Sequence, residues 1–159
     1  MILFVSLTCW LAACKQSNNS AGMQKKLDSL ERRVADSYKP GFGEFMSNIQ
    51  VHHAKLWFAG KNQNWQLADF EVHEIMEALE NIQKYQTERQ ESKMIPMLNP
   101  ALDSVNNAIK EKNVMLFNNS FILLTKTCND CHNAANFGFN VVTIPVSPPF
   151  SNQDFKVSR

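Results

Sequence analysis

Apolar residues in this chain recur mainly at spacings of three and four, the period of a helix that buries one face. Met23, Leu27, Leu30, Val34 and Tyr38 form the first such stripe, with Lys25, Lys26, Glu31, Arg32 and Arg33 largely off it, and predict a helix over 23–38. Two heptads are marginal in isolation, so this helix either lies on the body of its own chain or pairs with a second copy as a stalk. Lys39-Pro40-Gly41-Phe42-Gly43 breaks the pattern, and a stronger helix runs from Glu44 to Ala59-Gly60. One face of it carries Phe42, Phe45, Met46, Ile49, Leu56 and Trp57, with His53 near the middle and His52 at the edge. Asn62 to Asn64 supplies a cap, after which Trp65, Ala68, Val72, Ile75, Met76, Leu79 and Ile82 predict a helix to about Glu91, with His73 on its flank. Met94 to Pro100 holds two prolines and reads as a connection with room for a turn of helix. Ala101, Leu102, Val105, Ala108 and Ile109 mark the next helix. A last one starts near Asn113 and runs through Met115, Leu116, Phe117, Phe121, Leu124 and Thr125 to the vicinity of residue 136. Gly138, the prolines at 145, 148 and 149 and the run Val141-Val142-Thr143-Ile144 predict an extended tail over 137–159, laid along the body by Phe137, Phe139, Phe150 and Phe155.

Four helices of this length with short connections predict an all-α fold, an antiparallel four-helix bundle over 40–136 with an additional N-terminal helix and an extended C-terminal tail. Hydrophobic residues make up 44% of the 159, enough for the core of one domain. Sixteen basic and 15 acidic side chains leave a formal net charge of +1, which gives no footing for a nucleic-acid partner.

Residues 1–13 belong to an apolar run, MILFVSLTCWLAAC, that is too short to cross a bilayer and ends in small residues, as a signal peptide does. Leu11-Ala12-Ala13-Cys14 has the form of a bacterial lipobox, with cleavage before Cys14 and a lipid on its thiol. No Lys or Arg precedes the run, a departure from the usual charged start. The polar stretch to Gly22 then predicts a flexible tether over 14–22 between lipid and body. The expected address is the periplasmic side of the bacterial envelope, with the chain held at the membrane by its N-terminal lipid.

The chemistry concentrates in Cys128-Asn129-Asp130-Cys131-His132. On a helix, Cys128 and Cys131 stand one turn apart on one face, so both sulfurs can form thioethers to a single porphyrin. His132, beside the second thioether, can then reach the iron as the proximal ligand of one covalent haem c. A disulfide or a redox dithiol leaves His132 without a role. Zinc needs two further ligands, and no second Cys pair supplies them. No Ser/His/Asp set, phosphate loop or carboxylate pair points to a hydrolase or any other enzyme.

CNDCH placed late, near the end of the fourth bundle helix, resembles the cytochrome c-prime family, including its low-spin electron-carrying members. The likeness covers roughly residues 42–136; the added N-terminal helix and the proline-containing tail depart from it. What the resemblance implies is a haem between facing helices, met on its open side by the first bundle helix. The candidates there are His53, some ten residues into that helix, and Met46, nearer its start. The alternatives are a core histidine satisfied by a neighbouring group and a methionine filling space. His52 and His73 rank below them as surface or boundary residues. Trp57 and Trp65 read as core and Lys55 as a solvated charge, unless they pack around the porphyrin or pair with its propionates. Three functions follow as expectations. The first is electron transfer by a membrane-tethered monohaem cytochrome working with a redox partner protein. The second is five-coordinate binding of NO or CO. The third is a haem-free structural lipoprotein with zinc or a disulfide at CNDCH.

Overall fold

The computed structural model of the chain describes residues 17–37 and 40–157. The expected signal peptide, Cys14 and Tyr38 lie outside the described residues. The chain divides into two compact units, Met1–Lys39 and Pro40–Arg159. Among the described residues all regular structure is helical: α1 Ser17–Ser37, α2 Phe42–Lys61, α3 Trp65–Tyr85, a 3-10 helix Glu91–Leu98, α4 Asn99–Lys110 and α5 Val114–Ala134. None of these helices is long and apolar enough to cross a membrane.

In the first unit, α1 corrects the expected tether, because Ser17–Gly22 is already helical. Serine and asparagine suit a first turn, and the single cost of Gly22 is small once the helix continues for four more turns. In the second unit, Asn64 caps α3 by accepting the Leu67 N–H at 3.2 Å, and Asn113 caps α5 by accepting the N–H groups of Met115 and Leu116 at 3.1 and 3.0 Å. Pro100 lies in the first turn of α4, where a missing N–H costs nothing. α3 stops at Tyr85, six residues earlier than its composition suggests. The Ser92 hydroxyl donates to the Gln86 carbonyl at 2.6 Å and turns the chain into the 3-10 helix there.

Three helix ends share one device. Gln63, Lys112 and Asn136 adopt the left-handed conformation, with φ of 56°, 52° and 65°. The N–H of the residue after each reaches five residues back: Asn64 to Ala59 O at 2.9 Å, Asn113 to Ala108 O at 3.1 Å and Phe137 to His132 O at 2.7 Å. These are Schellman motifs, which satisfy the last carbonyls of α2, α4 and α5.

In the second unit α2 contacts α3 and α5, α4 contacts α3 and α5, and the 3-10 helix touches α3, α4 and α5. Leu56, Ala59, Ala68, Val72, Ile82, Val105, Ala108, Phe117 and Phe121 are fully buried between them. Trp57 and Trp65 are partly buried against Phe117 and belong to this core, as their spacing predicts. Gly60 lets α2 approach α5 closely, since a Cβ there would overlap the Phe117 ring. The tail has no regular structure, and of its four phenylalanines only Phe155 is buried, packed on Phe58 with ring centroids 5.7 Å apart. Phe137, Phe139 and Phe150 are exposed, so the tail is pinned by a few contacts and not by an apolar stripe.

Candidate functional site

One cleft, open to solvent and with about 170 Å³ of room inside, gathers Met46, His53, Cys128, Cys131 and His132. α2 supplies Met46, Ile49, Gln50 and His53; α3 supplies Ile75 and Leu79; the 3-10 helix supplies Leu98. The opposite wall is α5, with Leu124, Cys128, Cys131 and His132, continued by Asn140 and Val142 of the tail. The lining is therefore mostly apolar, with two thiols and two imidazoles among it.

Cys128 and Cys131 are free thiols on one face of α5, the first partly buried and the second buried. Burial, aided by the neighbouring Cys131, pushes the Cys128 thiol up to about 12. Burial also raises Cys131. Neither thiol is drawn toward the thiolate on which fast disulfide exchange depends. Among the described residues no group of three or more His, Cys, Asp or Glu side chains is arranged to hold a metal ion.

His132 is half-buried, and its Nδ1–H donates to the backbone carbonyl of Asn140 at 2.7 Å. That bond places the ring's lone pair on Nε2, the arrangement in which histidine commonly ligates a metal. His53, 4% exposed, is held differently. The Thr125 hydroxyl donates to the Phe121 carbonyl at 2.9 Å, so at the 2.9 Å contact with His53 it accepts from Nε2–H. The ring also lies against Phe121, with centroids 4.5 Å apart. Burial drops the His53 pKa to about 4, which keeps it neutral near pH 7. The side chain is thus a core histidine with a partner that also lines the pocket. Met46 is half-buried beside it in the lining.

The remaining candidates stay outside. Lys55 is not a solvated charge: its Nζ stands 2.6 Å from Oε1 of Glu71, which is fully buried on α3. The approach is off the direction of a hydrogen bond, so Oε1 has a compensating charge and no hydrogen bond. His52 donates Nδ1–H to Oε2 of the same carboxylate at 2.6 Å. This group joins α2 to α3 and uses Lys55, the candidate for pairing with the porphyrin's propionates, together with the boundary residue His52. His73 is exposed and bonds the Asp69 carbonyl in its own helix at 2.7 Å. Glu71 and Asn140 are residues that the hydrophobic pattern does not single out, whereas Thr125 lies on the stripe of α5 without its bond to His53 being foreseen. Glu71 leaves one trace: three residues after Ala68 and four before Ile75, it is the acid of that stretch at helical spacing from both.

Comparison with protein-family models, with curated proteins and with solved structures finds no match to this chain.

Proposed function

We propose that the protein is an exported, lipid-tethered monohaem c-type cytochrome that carries electrons, built like the cytochrome c-prime family as an antiparallel four-helix bundle of α2 to α5. The observation that carries the reading is the shared pocket: both thiols of CNDCH and His132 line one apolar cavity, and the His132 ring is oriented by Asn140 with Nε2 free. The closed circuit of contacts from α2 to α3, α4, α5 and back to α2 supports the bundle. The lipobox at Cys14 and the apolar run before it support export, which covalent haem requires.

Cys128 and Cys131 would each add sulfur and hydrogen across one vinyl double bond, a step with no net oxidation. His132 would hold the iron through Nε2. Bound there, the haem would supply a one-electron iron couple. The apolar lining from α2 and α3 would keep water from the far side, with Met46 and His53 facing that space. Neutral His53 adds no charge to it.

A second reading, binding of NO or CO at an open iron position, is favoured by one observation. Nε2 of His53 is already committed to Thr125, and ligation through Nε2 must break that bond. The test is co-expression with a haem-attachment system, acid-acetone extraction, and absorption spectra of the oxidised, reduced and CO-treated protein. Colour that stays with the polypeptide and a low-spin spectrum indifferent to CO support the electron carrier. Covalent haem that is high-spin and takes up CO at once moves the reading to gas binding. Complete extraction of colour ends both.

A further inference from the structure

We infer that Asn129, a spacer residue inside CNDCH, is a positioning residue for His132 and acts through the segment after α5. Its carboxamide forms two bonds with one residue: Oδ1 accepts the Val142 N–H at 2.8 Å, and Nδ2 donates to the Val142 carbonyl at 2.8 Å. Two residues before Val142, the Asn140 carbonyl accepts the Nδ1–H of His132 at 2.7 Å. Between them the chain is reversed by Asn136 and tightened by the Asn140 N–H on the Phe137 carbonyl at 2.8 Å. Asn129, Val142, Asn140 and His132 therefore close a ring of contacts. One side of it is the last turns of α5, and the other is a stretch of tail.

The residue type is what this geometry needs. A donor and an acceptor must sit side by side at short reach to grip a backbone N–H and C=O together, and asparagine is the shortest side chain with both. Asp keeps the acceptor and sets a charge against the Val142 carbonyl; Ala keeps neither. The grip holds a segment that the core secures poorly, for Phe137, Phe139 and Val141 are exposed around it. Without it, the Asn140 carbonyl is kept on the imidazole only by the turn from Phe137 and by the His132 bond itself. The haem reading assigns Asn129 no task, while the fold gives it the orientation of the ring beside the second cysteine. The consequence for iron rests on the proposed function; the orientation of the ring does not.

The test uses the full chain without haem first. Side-chain nitrogen NMR at a pH where His132 is neutral should show a single tautomer, Nδ1–H with a bare Nε2, in the parent. Asn129→Ala should lose that preference and give exchange-averaged nitrogens, Asn129→Asp should lie between, and Phe139→Ser, at an exposed tail position, should match the parent. In haem-loaded protein, Asn129→Ala should raise the midpoint potential, because an imidazole without an acceptor for Nδ1–H donates less charge to iron. A parent whose His132 carries its proton on Nε2 overturns the proposal without any variant. So does a folded Asn129→Ala protein with the parent's tautomer and potential. Failure of covalent haem attachment defeats the proposed function alone, since the tautomer is read in its absence.

Discussion

His53 and Thr125 lie 72 positions apart in sequence and share a 2.9 Å hydrogen bond between α2 and α5. The bond needs a proton on Nε2, and burial keeps the ring neutral by lowering its pKa from 6.5 to about 4.

The sign of the resulting pH dependence is fixed. An unfolded chain takes up a proton on this histidine below pH 6.5, the folded chain only near 4, so the unfolded state binds more protons in between. Stability contributed by His53 is complete above pH 6.5 and declines as pH falls toward 4, by up to about 3 kcal/mol. Urea titrations of the haem-free protein at pH 7 and 4.5 measure it. The parent should lose more than His53→Gln over that interval, and equal losses contradict it.

Glu71 and Lys55 predict an asymmetry. Glu71 is fully buried, whereas the Lys55 side chain keeps 14% of its surface in contact with water. Lys55→Met strands a charge inside, leaving His52 as its only partner, and should cost about 3 kcal/mol. Glu71→Leu leaves an ammonium that can turn outward and should cost clearly less. Thermal or chemical denaturation of both variants decides it, and a Glu71→Leu protein less stable than Lys55→Met contradicts the argument.

Gly60 faces Phe117 with no room for a methyl group. Gly60→Ala gains helix propensity yet forces the ring or the helix to move, for a net loss of about 1–3 kcal/mol. Pairing it with Phe117→Leu should return part of that loss, and a double variant that merely adds the two single costs would argue against direct overlap.

Lys112 is exposed and left-handed at the end of α4, a conformation in which its Cβ is strained. Lys112→Gly relieves the strain at some entropic cost and should stabilise the protein by about 0.5–1 kcal/mol. The midpoint of a denaturant transition should rise with an unchanged slope.

The helices of the second unit were legible because each buries one face, so Phe45, Leu56, Val72, Val105 and Phe121 repeat at the helical period that burial imposes. Cys128, Cys131 and His132 were legible from spacing alone, and His53 from its place on an apolar face. Asn129 and Asn140 were not, because an amide gripping backbone 13 residues onward leaves no period and does not depend on the residue it grips. Lys55 misled because its partner sits on another helix, and single-helix periodicity carries no information about charges across a gap. The end of α3 was overrun because Thr87-Glu88-Arg89-Gln90 can continue a helix, and the hydroxyl of Ser92 that diverts the chain acts from outside the segment.

Asn64 and Asn113 each finish one helix and cap the next, accepting duty at both sides of a corner with no free residue between. Such corners have no slack to act as hinges, so α2 with α3 and α4 with α5 form two helix pairs that meet through direct α3–α4 and α2–α5 contacts as well as through the 3-10 helix. The pocket is lined by the first pair on one side and by α5 and the tail on the other. Anything that fills it therefore touches both pairs, and its fit depends on how they pack against each other.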